Sequence, residues 1–474
     1  MVAAQPQHFP RRLPTGMLLA LAVLLSLLRF VRLGQWSLWI DESLTWADAH
    51  HGLGTSDLFN PLGYRLVTSV AALCGGPTDE FALRLLPALA GIACVPLCAW
   101  AFAPLLGRRR AAWAAVFLAL SAWHLFWSQS ARFYTLSQLT TLIGAGLALR
   151  GLLHGGRVKL YGGLLVCTAA ATFHPSAALL VPGLALGAWF DGTEDASRRR
   201  RAREAFFVLV VIGLCLSPFA LRPLLHHLGQ KPSPGALAGP LHLGLTAGYF
   251  FTPFLGAAAL WGAVQSWRRR DHDGLLLTIL LVVGFGAAFS ISVFAQVTAQ
   301  YLFVLLPFAC ALAASLLTGS QGAKARSPRI EGVLVAVLVS ASLTNCAFYL
   351  TSRAGERPRW REAYHYVDEQ REAGDLIAGM GSPIGEFYLG AGSTDLRHPR
   401  AIEPLGRFYV DGPRRWRRDG RRTWFVVRPQ WFADMRAEDA AVLREFLQRD
   451  CRLMRTFELS MKGRDLNVLV YLEG

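Results

Sequence analysis

Trp36-Ser-Leu-Trp-Ile-Asp41-Glu42-Ser-Leu-Thr-Trp46 sets two adjacent carboxylates between tryptophans, just after the first long apolar stretch of the chain. Tryptophan favours the boundary between membrane and water. The segment therefore reads as a helix lying at a membrane surface, and the residues on either side support that reading. From residue 14 to about 350 the apolar residues fall into blocks of roughly 18–23, separated by short charged clusters, which matches the helical length that spans a bilayer core. Only 17% of the 474 residues are charged, where an ordinary soluble domain carries about 25%.

The blocks predict about eleven membrane helices, at 14–33, 83–106, 111–127, 135–152, 158–172, 174–190, 205–222, 241–264, 274–295, 299–318 and 330–350. The first block follows Arg11 and Arg12 in the manner of a signal peptide. No small-residue cleavage site follows it, so it reads as an uncleaved first helix. The long connection at 34–82 is expected to hold short surface helices at 41–51 and 61–74.

The formal net charge of +16 reflects topology rather than a nucleic-acid partner. A nucleic-acid reading would want one basic face with interleaved aromatics. Here Arg108 to Arg110, Arg198 to Arg201 with Arg203, and Arg268 to Arg270 each sit in a short connection between apolar blocks. If the N-terminus is cytoplasmic, these basic connections all fall inside and the poorly basic ones outside. An odd number of helices then puts residues 351–474 outside.

That tail changes character. Trp360, Tyr364 and Val367 share one face of a predicted helix at 360–372, strands are expected at 375–380, 423–428 and 467–472, and a further helix at 438–449. The expected fold class is mainly α: a polytopic helical bundle over 1–350 with a small α/β domain over 351–474. Arg407 to Arg422 reads as a solvated surface, with contact to anionic groups as the alternative. The eight cysteines show no pairing or metal-binding pattern, and cysteine within an apolar block behaves as a small hydrophobe. Asp271-His272-Asp273 has the spelling of a nucleotide-sugar metal motif, but after three arginines it reads as a charged helix start.

Asp41 and Glu42 admit two readings. Asp41 can cap a short interfacial helix with Glu42 near its positive end. A carboxylate in that place can equally take a proton from an acceptor hydroxyl.

Several short motifs share this layout. Leu38-Trp-Ile-Asp41-Glu42 is followed by Phe59-Asn-Pro61-Leu-Gly-Tyr64, Phe81-Ala-Leu-Arg84, Ser128-Gln-Ser-Ala-Arg132-Phe-Tyr134, His174-Pro175 and Gln300-Tyr301-Leu302. In order and spacing the chain resembles the GT-C membrane glycosyltransferases that use polyprenyl-phosphate sugars, particularly the protein O-mannosyltransferase and aminoarabinose-transferase-like group (family 39). The resemblance implies an envelope enzyme of the plasma (inner) membrane that moves a sugar, with inversion, from a polyprenyl-phosphate carrier to a hydroxyl of a glycan, glycolipid or protein. Asp41, with Glu42 beside it, would be the catalytic carboxylate. Arg84, Arg132 and Tyr134, and less directly Arg65, would meet the donor phosphate. The alternative for Arg84 and Arg132 is an interfacial anchor, for Tyr134 and Tyr301 the aromatic belt, and for His174 a structural role before Pro175. Asn60 stands where relatives often carry His or Lys, and Gln300 where many carry Arg, so neither supplies a positive charge. No cofactor is firmly implied, and dependence on a divalent metal stays open. A transporter or flippase for a lipid-linked sugar would be expected to place ionisable residues near mid-membrane, whereas the distinctive charges here lie at the surface. A non-catalytic envelope-assembly homologue is the other alternative, against which the retained Asp41 argues.

Overall fold

Every apolar stretch of the first 350 residues is helical, and two of them are broken where the sequence pattern runs on. The computed structural model describes residues 13–50, 61–75, 79–190, 195–230, 235–317, 328–389, 402–405, 422–461 and 464–473. In chain order α1 (Thr15–Ser26) leads through a 3-10 turn (Leu27–Phe30) to the short helices α2 (Ile40–His50) and α3 (Pro61–Cys74). The bundle continues with α4 (Glu80–Leu106), α5 (Arg108–Ala119), α6 (Ala122–Ser128), α7 (Tyr134–His154), α8 (Arg157–Ala169), α9 (Leu180–Trp189) and α10 (Ala196–Gln230). It closes with α11 (Ala238–Phe251), α12 (Pro253–Arg269), α13 (His272–Phe294), α14 (Leu306–Ser315) and α15 (Pro328–Leu350). Among the described residues four helices are long and apolar enough to cross a membrane alone, or six if each of two bent pairs is one span.

Those bent pairs depart from the continuous helices expected at 111–127 and 241–264. The α11–α12 pair turns by 99°. Thr252 adopts a left-handed φ of 62° and Pro253 opens the next helix, a position where the missing proline N–H costs nothing. The α5–α6 pair turns by 64°, and Ser121 caps the new helix by accepting the His124 N–H. Carbonyls freed at such a break need donors inside a bundle. Arg29, fully buried, supplies them: its guanidinium donates to Ala119 O at 2.6 Å and Leu118 O at 3.2 Å.

Glycine sets the closest approach in the bundle. The turn between α7 and α8 uses Gly155 and Gly156, both at positive φ. Along the seam a Cβ on Gly144 would lie 2.5 Å from the Cys167 nitrogen, and one on Gly163 would lie 2.3 Å from the Ala148 nitrogen. Small residues let membrane helices pack backbone to backbone.

The arginine clusters gather at one end of the bundle. Arg109 donates to Leu13 O, Arg201 to Leu152 O, and Arg198 pairs with Asp273 at 2.9 Å. Asp271 immediately precedes α13 and Asp273 lies in its first turn, so the Asp271–Asp273 segment is the charged helix start expected. The other end, about 40 Å away along the 27 residues of α4, carries α2, α3 and the C-terminal layer. All eight cysteines are free.

In the C-terminal layer α16 (Trp360–Gln370) packs on β1 (Leu376–Met380) and β3 (Thr423–Val427), with α17 (Ser382–Leu389) and β2 (Ile402–Leu405) on one side. Then follow α18 (Ala437–Arg449), β4 (Cys451–Phe457), the hairpin of β5 (Ser460–Met461) with β6 (Arg464–Asp465), and β7 (Val468–Glu473). The sheet order is β2-β1-β3-β7-β4. β1 runs parallel to β2 and β3, while β7 is antiparallel to β3 and β4. Trp360, Tyr364 and Val367 are all buried, as their spacing predicted. The strand β4 and the helix α17 were not anticipated; β4 is an edge strand with much of its length exposed, so it lacks the apolar alternation of a half-buried strand. Arg407 to Arg421 lie outside the described residues, while Arg422 pairs with Glu372 and Asp375.

The glycine seam gives the first prediction. Gly163→Leu should overpack the α7–α8 contact and lower stability by about 1–3 kcal/mol. Gly162→Leu, where an added Cβ meets nothing within 4 Å, should not. Thermal unfolding of the two variants in the same detergent distinguishes them.

Candidate active site

The two carboxylates of the Asp41-Glu42 pair meet opposite fates. Glu42 is fully buried, accepts from four N–H groups and forms an ion pair with a second arginine. Arg84 donates from Nε at 2.8 Å and from Nη2 at 2.9 Å. The Ala131 N–H donates at 2.7 Å, the Trp39 N–H at 3.1 Å, and Arg357 Nε lies 3.2 Å away. The Trp39 bond closes the start of α2 as a glutamate three residues into a helix does. Burial works to raise the Glu42 pKa, but the two guanidiniums and the N–H donors overcome it and hold the carboxylate below its usual range. With its lone pairs taken, Glu42 has no room for a proton from substrate.

Arg84 is spent in the same way. Its remaining N–H groups donate to Leu33 O, Trp36 O and Ser37 O at 2.8–3.0 Å. All five guanidinium hydrogens are therefore engaged, and none is left for the donor phosphate expected of it. Arg84 instead fixes the chain between the first helix and α2.

Asp41 has the opposite character. It is half-buried, and its carboxylate makes no hydrogen bond or ion pair among the described residues. Beside it Arg132 donates from Nη1 to Asp41 O at 2.9 Å, Thr45 Oγ1 at 2.8 Å and the Tyr64 hydroxyl at 3.5 Å. Arg132 forms no ion pair among the described residues, and its buried Nε hydrogen has no acceptor. Burial opposes its charge, yet Tyr64 and Asp41 nearby hold it protonated more firmly than usual. Its guanidinium carbon lies 4.6 Å from the Phe133 ring centroid and 5.4 Å from that of Tyr64, a contact worth on the order of 0.5–2 kcal/mol.

A ring cluster continues from there. Tyr134 lies 4.6 Å from His174, and His174 lies 5.5 Å from Tyr301. The Gln300 side chain lies against the Tyr301 hydroxyl. Asp41 is near enough to act electrostatically on both tyrosines. His174 Nδ1 accepts the Ser176 N–H at 3.1 Å, so the histidine also caps the turn that starts at Pro175, as its structural reading expected.

The structure thus brings Asp41, Arg132, Tyr134, His174, Gln300 and Tyr301 together. It sets Glu42 and Arg84 beneath them as one ion pair. Arg65 sits on the exposed face of α3 and joins neither group. Asn60 lies outside the described residues. Sequence reasoning missed Thr45, Tyr64 as a partner of Arg132, and Arg357. Arg357 belongs to a run with Arg353, Arg359 and Arg361, and nothing local marks which of these turns inward. Among the described residues no three metal-ligating side chains are grouped.

The chain matches no protein-family model and no curated protein in sequence. Solved structures do match. ArnT from Cupriavidus metallidurans, crystallised bound to undecaprenyl phosphate, aligns with a TM-score of 0.58 over 96% of this chain and 97% of its own, at 16% identity. Its apo state gives 0.57 with the same coverage and identity. The apo oligosaccharyltransferase of Archaeoglobus fulgidus aligns at 0.53 over 90% of this chain and 71% of its own, with 12% identity. The fold is GT-C. For a chain of this GT-C fold, the match to ArnT spans both the membrane helices and the C-terminal layer.

Glu42→Gln removes the charge that two buried arginines share. Leaving them unpaired should cost about 3–5 kcal/mol. Because the folded pKa of Glu42 is depressed, its contribution is fully present above the ordinary value of 4.5 and is lost as pH falls from there through the folded value. Unfolding followed from pH 7 down to pH 3 should show this loss in the wild type, and Glu42→Gln should lack that component.

Proposed function

We propose that this chain is a glycosyltransferase that moves a sugar from a polyprenyl-phosphate carrier to an acceptor hydroxyl, with Asp41 as general base. The observation that carries this reading is a carboxylate without a hydrogen-bond or ion-pair partner among the described residues, beside a buried guanidinium that forms no ion pair among them, at one end of the helix bundle. A general base needs a free carboxylate within reach of the proton that it takes. A leaving phosphate needs a cation whose donors are not already committed. Asp41 and Arg132 meet those two needs, and Arg84 and Glu42 do not.

In the proposed step Asp41 removes the proton of the acceptor hydroxyl as its oxygen bonds to the anomeric carbon. The bond from that carbon to the phosphate oxygen breaks on the opposite side, so the configuration inverts and the lipid phosphate departs. Arg132, through Nε and the free side of its guanidinium, stabilises the charge that develops there. Tyr134, Tyr301 and His174 form the aromatic wall on which a sugar ring can rest. The structural likeness to ArnT supports a lipid-phosphate donor by analogy. Glycan, glycolipid and protein acceptors are all compatible with this chemistry, and the sugar is not specified by any contact.

Orientation belongs to the same proposal. The arginine clusters at the end of the bundle remote from Asp41 are those expected on the cytoplasmic side. The Asp41 end and the C-terminal layer then face outward, where a lipid-borne donor is needed because nucleotide sugars remain in the cytosol. The buried Arg29 is bound to fixed carbonyls rather than lining a path, which gives a transport reading no support.

Purified protein incubated with a panel of polyprenyl-phosphate sugars and a membrane extract tests the chemistry. Asp41→Asn should lower transfer by at least about 100-fold while the protein stays folded, since among the described residues the Asp41 carboxylate makes no hydrogen bond or ion pair. Unchanged transfer by this variant would sink the assignment. Orientation is checked with Val442→Cys in a chain carrying Cys74→Ser, Cys215→Ser and Cys451→Ser, since those three native thiols are not buried and Val442 is 52% exposed on α18. A membrane-impermeant maleimide should label it in intact cells whose outer barrier has been permeabilised, and labelling only after lysis would reverse the topology.

A further inference from the structure

Several polar contacts tie the C-terminal layer to the helix bundle: Tyr249 of α11 donates to Glu356 at 2.9 Å, and a larger group lands on the segment that leads into α2. Arg361 donates to Glu80 and to the carbonyls of Gly34 and Gln35. The Arg361 N–H donates to Ser37 Oγ at 3.0 Å, and Ser37 Oγ donates to Glu362 at 3.2 Å. The Leu38 N–H donates to the Tyr388 hydroxyl at 2.6 Å. Gly355, at φ +64°, packs so tightly that a Cβ there would come within 2.3 Å of the Trp36 ring.

Arg357 goes deeper than any of these. It is 2% exposed and lies between the end of α15 and the start of α16. Its Nε reaches Glu42 at 3.2 Å, its Nη2 donates to Ser130 Oγ at 2.5 Å, and its guanidinium lies 4.2 Å from the Phe126 ring centroid. One side chain thereby holds both segments that carry the proposed chemistry. Glu42 is bonded in sequence to Asp41, and Ser130 lies two residues before Arg132. The same two segments are also joined by the Ala131 N–H to Glu42.

We infer that Arg357 is a positioning residue that completes the membrane-end site only when the C-terminal layer is docked. Its guanidinium touches no reacting group in the proposed scheme, so it acts through Glu42 and Ser130. The burial of Arg357 among Glu42, Ser130 and Phe126 leaves it no second arrangement with comparable partners. Withdrawing it strips one cation from a buried carboxylate and one donor from the loop that presents Arg132. The two chemical ends of the site are then held to each other only by the Ala131 and Arg132 bonds. In function this makes the C-terminal layer a condition for transfer rather than a separate binding module, a role that rests on the proposed transferase reading.

The test uses the full chain in detergent with two readouts. Hydrogen exchange by mass spectrometry should show that Arg357→Met raises deuterium uptake in peptides covering 38–46 and 128–134, while the α7–α8 seam stays as in the wild type. Transfer should fall at least tenfold in kcat with KM for the acceptor little changed, and Arg357→Lys, which keeps the charge on Glu42, should recover part of it. Arg361→Met, which loosens the same layer without touching Glu42, should leave the 128–134 peptide unaltered. Wild-type uptake at both peptides in Arg357→Met, or a rise spread across the whole chain, would overturn the inference. If the wild type transfers no sugar from any donor, the transferase reading fails, and the exchange data still decide whether Arg357 organises the two segments.

Discussion

A single buried carboxylate governs the membrane end of this molecule. Removing Glu42 from water costs several kcal/mol before any partner is counted. The fold meets that cost with Arg84 from α4, Arg357 from the approach to α16, the Ala131 N–H from the loop before α7 and the Trp39 N–H of Glu42's own segment. Four parts of the chain that are remote in sequence are thereby pinned to one another. Breaking such a pair exposes its partners to the full penalty of being unpaired, so the constraint is stiff in a way that apolar packing alone is not. Everything described around Asp41 is placed relative to that carboxylate.

The division of labour within the acidic pair follows from helix geometry. Adjacent residues on a helix point about 100° apart, so one carboxylate at the start of α2 can turn inward while its neighbour faces open space. The same logic separates the two arginines that the motifs singled out. Arg84 enters from within a long helix and is saturated by carbonyls and Glu42. Arg132 sits at the tip of a loop, where Thr45 and Tyr64 satisfy only part of its guanidinium. Charge that is already satisfied builds the frame, and charge that is not is what the proposed reading assigns to the ligand.

Much of this was legible from residues alone because membrane helices announce themselves by apolar length, and arginine clusters by their placement between them. The surface helices at 41–51 and 61–74 and the buried face of Trp360, Tyr364 and Val367 were readable for the same reason: their periodicity is local. The breaks at Ser121 and Thr252 were not, since each depends on one residue's backbone conformation inside an otherwise apolar run. The fates of Asp41 and Glu42 were equally hidden. Deciding between them requires knowing that Arg84 and Arg357 converge on the second, and neither arginine is a sequence neighbour. The resemblance in motif order pointed to the candidate site, but only the contacts could tell which of its members are locked in ion pairs and which are not.

The contacts between Ser37 and Arg361 join residues 324 positions apart, and the order in which a ribosome delivers them matters. The first loop emerges early, with Glu42 able to meet Arg84 after a few dozen residues. Its second cation arrives only when nearly three quarters of the chain has been made. At about 5–20 residues per second, the loop waits on the order of tens of seconds for that partner. During synthesis the nascent protein therefore carries a half-neutralised carboxylate at the membrane surface, and a chain cut short before Arg357 inserts its helices without finishing this corner.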